Sequence, residues 1–161
     1  MKPDDTDANE AILAWLSSLQ HNEVRDDLLR KRIPDTGNWI LDSPKLKEWT
    51  AGLSESPTLW CYGLSGLGKS TLSAIITEHL EKELCGPDEA LAYIFTIYDS
   101  DVTILEILSS ICRQLAARCS QLPWQLVKMY KQMSQEGTRP DIDCEFPYLF
   151  SSSRVMGVAS R

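Results

Sequence analysis

A chain of 161 residues, 43% of them hydrophobic and 24% charged, is long enough to bury a sizeable core in about one domain, and its composition excludes a disordered or fibrous protein. With 23 acidic and 16 basic side chains the formal charge is −7, a field that repels nucleic acid and anionic membrane alike, so any anion must be captured locally. "MKPDDTDANE" carries no apolar leader and the longest apolar run, "ALAYIFTIY", is far short of the ~20 residues of a membrane span, which predicts a cytoplasmic protein with no nucleic-acid or membrane partner.

Asp7 followed by Glu10 has the spelling of a capping box, and Ala8, Ala11, Ile12, Trp15, Leu16 and Leu19 recur at helical spacing, predicting an amphipathic helix over 8–20. Val24, Leu28 and Leu29 suggest a second short helix running into the basic "RKR" and broken by Pro34. Ser43 as N-cap and Pro44 in the first turn start a third, which carries Leu46 and Trp49. Residues 1–52 therefore read as a helical lead-in.

"GLSESP" is a polar linker. After it "TLWCY" (58–62) is a short continuous apolar run of the kind expected in a strand buried on both faces. Leu72, Ile75, Ile76, Leu80 and Leu84 mark one face of a helix ending at Gly86-Pro87, and "ALAYIFTIY" (90–98) reads as a second buried strand. Thr103 and Glu106 repeat the capping-box pattern ahead of a helix reaching about residue 119. Ser120 and Pro123 open another with Leu126, Val127, Tyr130 and Met133. From Gly137 onward no period persists, and 143–161 reads as an irregular or disordered tail. The five cysteines (61, 85, 112, 119 and 144) form no CxxC pair, and the chain has only two histidines, which predicts free thiols; Cys61, Cys112 and Cys119 fall in apolar patterns and read as core filling.

Between the first strand and its helix lies Gly63, four residues, then Gly68-Lys69-Ser70, which fits G-x-x-x-x-G-K-[ST], the phosphate-binding loop. Backbone N–H groups must converge there on phosphate oxygens, so glycine is needed at 66 and 68, where a side chain would obstruct and φ must turn positive. The helix start adds its unpaired N–H groups and positive dipole end. The predicted binding residues are Gly63, Leu64, Ser65, Gly66, Leu67, Gly68, Lys69, Ser70 and Thr71. Lys69 brings a full charge to the β- and γ-phosphates, Ser70 a hydroxyl for Mg²⁺, and Thr71 a donor to the α-phosphate. The predicted cofactors are ATP or GTP with Mg²⁺.

Two other glycine motifs fail by spelling. Leu67 occupies the last glycine of G-x-S-x-G, and the glycines at 63, 66 and 68 run in the opposite order to G-x-G-x-x-G. Hydrolysis would need a carboxylate at a strand end, and Asp99, with Asp101 behind it, is the hydrophobic-run-then-Asp candidate. The alternative, that these acids end a strand and cap the next helix, is favoured.

"ILAWLSSL", "KRIPDTGNWILDSPKLKEW", "LWCYGLSGLGKSTLS", "LAYIFTIYDSD" and "ILSSICRQLA" follow one another in an order that resembles the start of a NACHT domain, the signal-transducing P-loop NTPase of the STAND class, in its fungal vegetative-incompatibility form. The resemblance implies an α/β, three-layer P-loop NTPase fold with an incomplete parallel sheet, occupying 57–142 behind the helical lead-in. It also implies a nucleotide-dependent switch. It places the magnesium-binding acid beyond the segment matching "LVKMYKQMSQEGTRPDID", so that Asp99 is not that acid, no catalytic residue is assigned, and the chain is a truncated fragment with impaired hydrolysis. An open sheet gap would favour self-association or binding to full-length relatives. Upstream segments would cover the base, bringing Arg32, Thr36 and Gly37 toward it, while Trp39 and Trp49 read as packing the lead-in on the core. Two further readings remain open: a small P-loop kinase, for which Arg113, Arg118, Arg139, Arg154 and Arg161 are the only arginines after the loop, and a non-catalytic interaction fragment.

Overall fold

The structure is a computed structural model that describes residues 3–83, 89–95, 102–138 and, as backbone, 154–160. Helix α1 (Pro3–Leu16) is followed by α2 (His21–Lys31), a 3₁₀ turn (Asn38–Ile40), α3 (Pro44–Thr50), α4 (Lys69–Glu83), β1 (Glu89–Phe95), α5 (Ile104–Arg118), α6 (Trp124–Gln135) and β2 (Arg154–Ser160). β1 and β2 pair in parallel with Glu89 opposite Arg154 and Phe95 opposite Ser160.

The core is built as two clusters. In the first, Leu91, Tyr93 and Phe95, alternate residues of β1, meet Ala74, Ile75, Ile76 and Leu80 of α4, with Leu46 of α3 and Ile40 closing over them. In the second, Ile12 and Leu16 of α1 pack on Cys112 and Ala116 of α5 and Leu126 of α6. The apolar stripes at helical spacing thus find partners, which supplies most of a helix's stability inside a protein. Leu91, Ala92, Tyr93, Ile94 and Phe95 are all buried, so β1 is covered on both faces.

The far edge of β1 is closed by side chains. Tyr93 N–H donates to Gln114 Oε1 at 3.0 Å and Gln114 Nε2 donates back to the Tyr93 carbonyl at 2.9 Å, while Phe95 N–H donates to Nδ1 of His21 at 3.3 Å. One amide group on α5 thereby does for Tyr93 what a neighbouring strand would do.

The expected three-layer α/β P-loop fold with an incomplete parallel sheet is not what the chain forms. Its described residues are mainly helical, and extended pairing is confined to β1 with β2. Residues 58–62, expected as a buried strand, lie outside any strand and are largely exposed, Trp60 at 76% and Tyr62 at 86%. An apolar run becomes a strand only where a ladder partner takes its N–H and C=O groups, and this run has none among the described residues. A sheet this narrow cannot separate two layers of helices.

Smaller corrections follow from packing. α1 begins at Pro3, so Asp7 lies inside the helix and caps nothing. Ser43 holds the N-cap position of α3 without a side-chain hydrogen bond. Of the three cysteines read as core filling, Cys112 is buried, its thiol pushed up to about 12 by desolvation, whereas Cys61 and Cys119 are exposed; all three are free. Trp39 is 64% exposed, while Trp49 packs half-buried on the first cluster. The strand β2 falls where no element was expected. Asp99 and Asp101 lie outside the described residues.

Candidate phosphate-binding site

The glycine loop hangs between an exposed approach and a buried helix. The approach is tied at its start, where Trp49 Nε1 donates to the Pro57 carbonyl at 2.8 Å. Past the loop, α4 begins at Lys69, with Leu72 N–H donating to the Gly68 carbonyl at 2.9 Å and Ser73 Oγ to the Lys69 carbonyl at 3.0 Å. Ala74 to Thr77 and Leu80 are buried, so the helix holding the loop is fixed by core packing.

Gly66 and Gly68 have φ of 83° and 80°, and nothing lies within 4 Å of where a Cβ would stand on either. Those are the properties the loop's chemistry demands of these two positions: left-handed backbone and open space beside it. Lys69 Nζ donates to the carbonyls of Gly63 and Leu64, each at 3.0 Å, and so folds the ammonium back over the loop. Leu64 and Leu67 are 79% and 65% exposed, and Cδ1 of Leu67 stands 3.2 Å from where a Cβ on Gly63 would sit, so that side chain folds back against the start of the loop. Ser70 and Thr71 are half-buried in the first turn of α4, and Ser70 is engaged in an interaction of its own. The nine predicted residues run without a break from the loop into the first turn of α4, with open space beside Gly66 and Gly68.

The upstream residues are placed differently. Gly37 lies on α4 itself: a Cβ there would stand 2.7 Å from Cδ1 of Ile75 and 3.1 Å from Cδ2 of Leu72. Arg32 donates to Asn38 Oδ1 at 3.0 Å and Thr36 Oγ1 to the Ile33 carbonyl at 2.7 Å, so the polar atoms of both serve the turn that carries Gly37. Sequence reasoning missed the Trp49 tether and the pair Gln114 and His21, because side-chain bonds to distant backbone leave no local spelling. No group of three or more metal-ligating side chains occurs among the described residues, and no helix among them is long and apolar enough to cross a membrane.

No curated protein and no solved structure matches this chain. A family model does, that of nephrocystin 3, N-terminal, over residues 35–156, which takes in the 3₁₀ turn, the glycine loop, α4, β1, α5 and α6. This is a different domain from NACHT, so the NACHT resemblance is not what the match establishes. The chain belongs to the nephrocystin 3, N-terminal family.

Proposed function

We propose that residues 63–71 bind the phosphates of a nucleoside triphosphate, ATP or GTP, with Mg²⁺, in a signalling module that hydrolyses poorly or not at all. The observation that supports it is the pair of positive-φ glycines with open space beside them at the start of a core-anchored helix. The N–H groups of the loop and of the first turn of α4 orient phosphate oxygens, and the helix dipole favours their charge. Lys69 exchanges its two carbonyl partners for phosphate oxygens, a stronger charge-assisted bond. Mg²⁺, when bound, neutralises charge between phosphates, and Ser70 is the residue to hold it.

The test is calorimetry with Mg·ATP and Mg·GTP on the full chain and on Lys69→Ala. Losing one charge-assisted contact of about 2–3 kcal/mol lowers affinity some tens of times or more. Equal affinity in both proteins would sink the reading. A second reading, a non-catalytic interaction fragment, is favoured by the exposure of Trp60, Tyr62, Leu64 and Leu67 around the loop. It predicts no nucleotide binding by either protein.

A further inference from the structure

We propose that residues 59–62 are a dimerisation strand, pairing antiparallel with the same segment of a second copy of this chain about a two-fold axis at Cys61. The inference does not rest on nucleotide binding. It starts from the backbone: the N–H and C=O groups of Leu59, Trp60, Cys61 and Tyr62 have no hydrogen-bond partner among the described residues. Such an unpaired run, outside any helix, turn or bend, is a template for strand addition. At β1 that capacity is spent, because β2 takes one edge and Gln114 with His21 close the other.

Four features select a second copy as the occupant. Residues 56–68 contain no charged side chain, so two copies of a protein carrying −7 can meet here without like charges at the contact. Antiparallel pairing sets the Glu55 end of one copy beside the Lys69 end of the other, whereas parallel pairing would oppose Glu55 with Glu55 and Lys69 with Lys69. Centring on Cys61 places Trp60 across from the second copy's Tyr62, and the reverse, two aromatic cross-strand pairs from side chains that are 76% and 86% exposed. Leu59 is half-buried against the first core cluster, so the strand is anchored to its own fold on one side and free on the other.

The area sets the strength. Trp60, Tyr62, Leu64 and Leu67 together offer roughly 500–600 Å² of apolar surface per copy, below the ~800 Å² of a standard interface, so the dimer is weak and concentration-dependent. Its two-fold symmetry uses the same patch on both copies and closes at two.

Sedimentation velocity on the full chain from about 2 to about 200 µM is expected to show a monomer–dimer equilibrium. Air oxidation with copper phenanthroline removes two electrons and two protons from a pair of thiols. It should trap the dimer through Cys61 to Cys61, because opposed residues in an antiparallel pair sit ~4.5–5.5 Å apart at Cα, within the reach of a disulfide. Cys119, also exposed and free, serves as the internal control for random collision. Trp60→Glu and Tyr62→Glu, at exposed positions that leave the circular dichroism spectrum unchanged, are expected to weaken association tenfold or more. The proposal is overturned by a monomer across the whole range, by cross-links as frequent through Cys119 as through Cys61, by species that grow past the dimer, or by association indifferent to both glutamates.

Discussion

Burial gives His21 a role its place in the sequence does not announce. The side chain is 7% exposed, Nδ1 accepts the Phe95 N–H at 3.3 Å, and Nε2 is buried without a hydrogen-bond partner among the described residues. Accepting that bond requires the lone pair of Nδ1, hence the neutral ring, and burial lowers the pKa from its ordinary 6.5. The unfolded chain therefore takes up a proton as pH falls through about 6.5 while the folded chain does not, so stability falls with pH until the folded pKa is passed. His21→Asn keeps an acceptor without a titration. Urea midpoints from about pH 7.5 down to about 5.5 should fall less in this variant than in the native chain; parallel curves would remove His21 as the cause. Gly37 is the second residue fixed by its surroundings, with φ at 81° and a Cβ position 2.7 Å from Ile75. Gly37→Ala is expected to lose about 1–3 kcal/mol in urea unfolding, from backbone strain plus displacement of the Ile75 and Leu72 tips. A loss under 0.5 kcal/mol would show that the turn moves away freely.

Among the elements, those specified locally were the legible ones. Thr103 N–H donates to Glu106 Oε2 at 2.8 Å and Glu106 N–H to Thr103 Oγ1 at 3.2 Å, so the capping box spelled in the sequence forms and α5 begins where expected. The glycine turn ahead of Lys69 was legible for the same reason, since positive φ at Gly66 and Gly68 is a property of glycine in that short turn. At Asp7 and Glu10 the same spelling failed, because α1 extends back to Pro3 and its stripe is anchored by Ile12 and Leu16 on α5 and α6. "TLWCY" failed for a different reason. Apolar continuity says that a segment would be stable when buried between neighbours, and does not say that neighbours exist. β2 was missed because seven residues with a central glycine carry too little pattern to outweigh their surroundings.

Across the whole molecule, one carboxylate joins three helices. Glu81 of α4 accepts from Arg25 of α2 and, at 2.6 Å, from Arg118 of α5, while Arg25 also donates to the Tyr93 hydroxyl at 2.9 Å and lies over its ring at 5.3 Å from the centroid. The Arg25 side chain is 13% exposed and, of its carboxylate partners among the described residues, retains only the more exposed Asp26, at 2.8 Å, when Glu81 is lost, while Arg118 loses its carboxylate too. Glu81→Leu is expected to cost about 2 kcal/mol or more in urea unfolding, whereas Arg30→Ala, which breaks a pair on a side chain that is 75% exposed, should stay within about 0.5 kcal/mol. Similar losses from both would mean that the link across the helices adds nothing beyond a surface pair.

The sequence by itself determined the elements that close on themselves: the helices with their 3.6-residue stripes, the Thr103 cap, and the glycine loop ahead of Lys69. Each is held by bonds between residues a few positions apart, so neighbouring letters suffice to write it. Only the tertiary structure decided how far the sheet extends, that Cys61 faces solvent while Cys112 does not, and that Gln114 and His21 stand in for a strand at the edge of β1. Strand pairing and burial join residues tens of positions apart, and which of several apolar runs obtains a partner depends on where every other element has already packed.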